Sequence, residues 1–111
     1  AYNKNDRHIL IVENNGAIAN MQDDAMVEVV CELGINGPRP MRVGNIPQFN
    51  LGLLVNQVSC EKLIVDAYFE NSYQKALEAF TLNRLINDAK KARKVLDALI
   101  EANKGMWPEL R

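Results

Sequence analysis

The stretch IVENNGAIANMQDDAMVEVVCE, residues 11–32, decides how the first half of the chain is read. Its opening letters complete an apolar, β-branched run from Arg7 to Val12, RHILIV, and Ala25 to Glu32 alternates as AMVEVVCE, so each suits a strand. Between them stands Asn15-Gly16, a pair that tolerates φ > 0 and signals the turn of a hairpin. The neighbouring asparagine, Asn14, adds more polar groups than a turn alone requires. Glu28 alternates with apolar residues in MVEVV; it faces solvent or lies beneath the sheet with a partner, and strand periodicity favours solvent. Asp23 and Asp24 supply too few oxygens for the roughly six to eight that calcium takes, and read as turn or cap residues.

Working outward, GINGPRPMRVGNIP at 34–47 carries a second Asn-Gly pair, Asn36-Gly37, followed by a short extended piece around Met41 to Val43. A small antiparallel sheet is expected. From about Pro47 the period changes: Phe49, Leu53, Leu54, Val58, Leu63, Val65 and Phe69 recur at three- and four-residue intervals, which predicts a long helix opened by a proline. Its apolar residues spread around the circumference, so burial on more than one side and a covering partner are expected. Asn71-Ser72 can cap a short helix over Tyr73 to Phe80. Asp88 can cap a last one in DAKKARKVLDALIEANKG, with Ala92, Val95, Leu96, Leu99 and Ile100 as its apolar stripe and Gly105 and Pro108 as its end. The fold class is therefore α+β: a small antiparallel sheet, then a long helix and two further helices.

With 111 residues, 48% of them hydrophobic and 24% charged, the chain is expected to form a single domain over 1–111. Thirteen Lys and Arg against 14 Asp and Glu leave no sign-biased surface to attract nucleic acid or an anionic membrane, and neither partner is expected. No apolar run approaches the roughly 20 residues that span a bilayer, and AYNKNDRH lacks the apolar core of a secretory leader, so a cytoplasmic location is expected. The chain starts at Ala1 in mid-pattern, as a piece of something longer would.

Little in the sequence offers self-sufficient chemistry. Cys31 and Cys60 sit in apolar patterns without metal-ligand spacing and read as buried free thiols. The single histidine, His8, has no acid at a pairing distance and reads as an edge residue. The KKARK cluster at 90–94 is offset by Asp97 and Glu101 and reads as a solvated helix face. There is no phosphate-cradling glycine loop, nucleophile elbow or metal helix.

Taken as one ordered string, ENNGAIANMQDDAMVEVVCELGINGPRPMRVGNIP at 13–47 resembles the C-terminal region of family 4 glycoside hydrolases. The family pattern runs N-x-G-x-I-x-N, V-E-V-P-C, an N-G turn, a proline and V-G-x-x-P. It is met by Asn14, Gly16, Ile18 and Asn20; by Val27, Glu28, Val29 and Cys31; by Asn36, Gly37 and Pro40; and by Val43, Gly44 and Pro47. Val30 stands where the family has proline, which bears on the local strand bend. CEKLIVDAYFENSYQKALEAFTLN at 60–83 and ANKGMWPEL at 102–110 are similar to the 6-phospho-α-glucosidase branch.

The resemblance implies an enzyme that uses NAD and a divalent metal, usually Mn2+, and stands apart from the paired-carboxylate glycosidases. Oxidation at C3 of a phosphorylated disaccharide such as maltose 6'-phosphate would acidify the C2 proton; elimination, water addition and re-reduction would follow. The family's NAD-binding, metal-binding and acid/base motifs are absent here, so no catalytic, cofactor or metal residue is assigned. The chain is expected to be a C-terminal fragment lacking the N-terminal NAD-binding domain, and inactive alone. By similarity to the substrate-side domain of lactate and malate dehydrogenases, Asn14, Asn15 and Gly16 become candidates to line the substrate cleft. On that reading Asn14→Ala would lower turnover with little loss of stability. A homo-oligomer is implied, the long helix packing on the missing domain or a second subunit. The alternative is a stand-alone self-association module without catalysis.

Overall fold

The computed structural model describes residues 6–111; AYNKN, read above for a leader, lies outside them. The element order is β1 (Asp6–Glu13), β2 (Met26–Gly34), β3 (Gly37–Pro40), α1 (Gln48–Glu70), α2 (Tyr73–Leu82) and α3 (Ala89–Ala102). A three-stranded antiparallel sheet followed by three helices is the expected α+β class. Two compact units divide the chain within α1, one through Leu53 and one from Leu54 onward.

In the first unit β1 and β2 pair with Ile9 opposite Val30 and Ile11 opposite Glu28. Alternation does what the sequence demands: Val27, Val29 and Cys31 are buried, while Met26, Glu28 and Val30 face outward. The outward face keeps exposed apolar residues beside its charged ones, with Ile9 66% and Ile11 69% exposed. Val30 continues the ladder, so the bend that proline would impose is not needed here.

The third strand corrects one expectation. It runs over Gly37–Pro40 rather than Met41 to Val43, and only the Met41 amide, donating to the Val30 carbonyl at 2.8 Å, extends its pairing. Two prolines argue against a central strand, but β3 lies at the sheet edge, where a missing N–H leaves no partner unsatisfied. Gly37, at φ 95°, supplies the left-handed backbone that begins it.

The second unit packs helices through small residues. Cys60 and Ala67 of α1 are buried on one side together with half-buried Asn56 and Leu63, whereas Val58 is buried across the helix axis. Phe49, Val65, Tyr68 and Phe69 stay exposed. Ala67, Ala76 and Leu96 form the core of this unit, joined by Tyr73, Leu77, Phe80, Ile100 and Leu110. The joint between α1 and α2 is a C-cap of the Schellman type: Asn71 takes φ 54° and the Ser72 amide returns to the Ala67 carbonyl at 2.9 Å. Ser72 then caps α2 by accepting from the Lys75 amide, and Asp88 caps α3 by accepting from the Lys91 amide at 2.7 Å. Val95, placed in the α3 stripe by its spacing, is 40% exposed, because only Ala92 and Leu96 reach full burial. The tail folds back, Arg111 donating its amide to the Asn71 carbonyl and accepting from the Tyr73 amide.

Candidate functional site

The sequence places its candidates in the connection between β1 and β2, and the structure gives that connection an unusual build. Hairpin loops commonly have about 2–5 residues; this one runs from Asn14 to Ala25. Asn15 and Gly16, at φ 41° and 79°, form a turn closed by the Ala17 amide on the Asn14 carbonyl at 2.7 Å. The chain then wanders without regular structure while burying Ala17, Ile18, Met21 and Ala25.

A loop that buries apolar side chains must also satisfy its own backbone. Asn14 does this. Its side chain is fully buried; Nδ2 donates toward the carbonyls of Ile18 at 3.0 Å, Met21 at 3.3 Å and Gln22 at 3.0 Å, and Oδ1 accepts from the Ile18 amide at 2.7 Å. Its own amide donates to Ala25 at 2.8 Å, closing the loop. Among the described residues no buried side-chain nitrogen or oxygen lacks a partner.

A second asparagine attaches the loop to the segment before α1. Asn20 donates to the Ile46 carbonyl and accepts from the Ile46 amide, both at 3.0 Å, imitating one rung of a sheet. The Ala19 amide reaches the Gly44 carbonyl, the Val43 amide reaches the Ala17 carbonyl, and Ile18 forms a parallel bridge with Gly44. Every position of the N-x-G-x-I-x-N segment thus has a structural duty: Asn14 ties the loop, Gly16 turns it, Ile18 anchors it and Asn20 clips it.

The three cleft candidates therefore separate. Asn15 and Gly16 are exposed, with Asn15 Nδ2 donating to Glu13 Oε2 at 3.1 Å, whereas Asn14 has no atom free to meet a ligand. Because the Asn14 side chain is saturated in this way, Asn14→Ala is expected to cost stability in addition to any effect on turnover. Spacing alone could not show this burial; the apolar residues inside a segment otherwise read as turn were the available signal.

The remaining candidates are brought to no common point. His8 is exposed opposite Cys31, and Cys31 is fully buried with its thiol against the Val29 carbonyl at 3.6 Å. Both cysteines are free and buried, and burial raises the Cys60 thiol pKa. Glu28 and the lysines and arginine of KKARK are exposed, as expected. On the outer sheet face Glu32 pairs with Arg39 across β3 and with Arg7 at 3.7 Å; the Arg39 hydrogen bond, then its charge, hold the Glu32 carboxyl below its ordinary range. Among the described residues no three of His, Cys, Asp or Glu converge as a metal set, so these side chains do not fit a divalent metal by themselves. Among them, too, no helix is long and apolar enough to cross a membrane.

Comparison with known proteins places this architecture. The family 4 glycosyl hydrolase C-terminal domain matches over residues 1–86, and the chain belongs to that family. It is 56% identical, over 99% of its length and 24% of the relative's, to maltose-6'-phosphate glucosidase of Bacillus subtilis (strain 168). A solved 6-phospho-alpha-glucosidase from gut microorganisms, in complex with NAD and Mn2+, superposes with TM-score 0.96 and 83% identity over 99% of this chain and 26% of that one. The 6-phospho-beta glucosidase of Thermotoga maritima with NAD and glucose-6-phosphate superposes with TM-score 0.86 at 28% identity, covering 95% of this chain and 26% of that one. The chain spans about a quarter of the length of the relatives it matches.

Proposed function

We propose that this chain is the C-terminal domain of a cytoplasmic 6-phospho-α-glucosidase that acts on phosphorylated disaccharides such as maltose 6'-phosphate with NAD and a divalent metal. The observation that carries the reading is the contrast in likeness: 83% and 56% identity to a 6-phospho-alpha-glucosidase and a maltose-6'-phosphate glucosidase, against 40% and 28% to two relatives named as 6-phospho-beta-glucosidases. The domain's own share is structural. Asn14 holds the loop in one shape, Asn15 and Gly16 are offered at its exposed turn as the rim of a sugar cleft, and Asn20 fixes the loop to the chain that leads into α1. The Asn15 amide both donates and accepts, which suits sugar hydroxyls. Nicotinamide and metal would be held by the remainder of the longer enzyme.

Assay of the intact enzyme with α- and β-linked 6-phosphoglucosides in the presence of NAD and Mn2+ tests this. Hydrolysis of the α-linked substrate is expected. Turnover of the β-linked one alone would reassign the branch, and turnover of neither would overturn the reading. For the chain by itself, neither NAD nor Mn2+ should raise the melting temperature; a clear rise with either would contradict the proposed division of labour.

The second reading, a self-association module, draws on exposed Val65 and Phe69 of the long helix α1. Both readings have a homo-oligomer in common. Sedimentation across a concentration series tests it, with a strictly monomeric species counting against.

A further inference from the structure

The chain contains two Asn-Gly pairs, Asn15-Gly16 and Asn36-Gly37, and the fold treats them differently. Asparagine before glycine can lose its side-chain nitrogen when the following backbone nitrogen attacks the side-chain carbonyl carbon. Three conditions govern that attack: an accessible side chain, a following residue that does not crowd the ring, and a backbone amide free to leave its place. Both pairs meet the first two. Asn15 and Asn36 are exposed, and a Cβ added at Gly16 or Gly37 would meet no atom within 4 Å.

The third condition separates them. Gly37 belongs to β3 and is held in the ladder opposite Gly34, so its amide moves only by opening the hairpin end. Gly16 lies outside every strand, and the bond that closes its turn is made by the Ala17 amide instead. Asn14, which precedes the pair, is protected by burial and by the four contacts of its side chain. We infer that Asn15-Gly16 is a deamidation site built into the folded chain, favoured over Asn36-Gly37.

The step balances without an outside oxidant or reductant. The Gly16 nitrogen, losing its proton, forms a bond to Asn15 Cγ; the Cγ–Nδ2 bond breaks and ammonia leaves, giving a five-membered succinimide. Water then opens either carbonyl, yielding aspartate or isoaspartate at 15. Either product ends the Asn15 donation to Glu13 and sets a second carboxylate beside the first. Isoaspartate also lengthens the backbone inside the turn that Ala17 and Asn14 close. The site coincides with the proposed cleft rim, but the chemistry does not rest on that reading.

The test is peptide mapping of the 111-residue chain aged at mildly alkaline pH, with and without denaturant, scoring at each asparagine the mass gain from replacing NH by O. In the folded chain conversion at Asn15 should exceed that at Asn36 by roughly fivefold, the rate equivalent of one net hydrogen bond. Denaturant should remove the difference, because both pairs are then free. An Asn36→Gln chain should keep the whole-protein mass gain, and an Asn15→Gln chain should lose most of it. Equal or faster conversion at Asn36 in the folded chain would overturn the inference, as would an Asn15 that survives folded while converting in denaturant.

Discussion

Leu96 in the helical unit and Asn14 in the sheet unit are both large, fully buried side chains, and they stabilise their surroundings by opposite means. Leu96 meets Ala67 and Ala76, small residues that let helices approach, and its contribution is apolar area removed from water. Asn14 meets backbone: three carbonyls and an amide in a segment outside every named strand and helix. An irregular loop can therefore be as tightly specified as a helix pair, provided one polar side chain replaces the missing ladder.

The sharpest way to break this comparison is to remove the polar member. Asn14→Ala leaves the Ile18 amide and the Met21 carbonyl without their side-chain partner, while the Ile18 and Gln22 carbonyls keep only the amides of Met21 and Ala25, at a cost of about 3–5 kcal/mol, read as a lower urea midpoint. Asn14→Asp should recover little, because a carboxylate keeps the acceptor but loses both donors that the carbonyls need. A loss below the roughly 0.5 kcal/mol of an ordinary surface change would show that water replaces the amide readily. Leu96→Ala should cost about 3 kcal/mol through lost burial and the cavity left behind, with the same measurement. If Leu96→Ala proved the costlier of the two, the polar loop would be the looser unit.

Caps come next. Asp88→Ala removes the acceptor of the Lys91 amide and should cost about 1 kcal/mol, seen as a small drop in melting temperature and faster amide exchange in the first turn of α3. The smallest effect is electrostatic. Glu32, held by Arg39 and Arg7, has a folded pKa below the ordinary 4.5. Its stabilisation is therefore complete above 4.5 and is lost as pH falls through the folded value. Because the pair is exposed, Glu32→Gln should flatten only slightly the acid limb of a stability-against-pH curve, and added salt should mimic the change.

Much of the fold was legible because its signals are local. A continuous apolar, β-branched run located β1, alternation located β2, the shift to a helical period located α1, and Ser72 and Asp88 marked the starts of α2 and α3. The third strand was misplaced because Pro38 and Pro40 suppress a strand reading, while an edge position tolerates both. The loop site was half legible. Asn15-Gly16 announces its own backbone, since the left-handed region suits both residues, but Asn14 depends on partners four to eight residues away that no periodicity orders. Asparagine also takes the left-handed position at Asn71 and Asn87, each directly before a capping residue, so this chain uses one residue type for turns, joints and a buried tie.

The folded-back tail has a practical bearing on how the protein is handled. Arg111 clasps the α1–α2 joint through Asn71 and Tyr73, and Leu110 plugs the helical core beside them. Deleting Leu110 and Arg111 would draw the plug and release the clasp together, so any redesign of this domain must keep both. A dye is better carried on Lys90 or Lys94, whose side chains stand in solvent on α3.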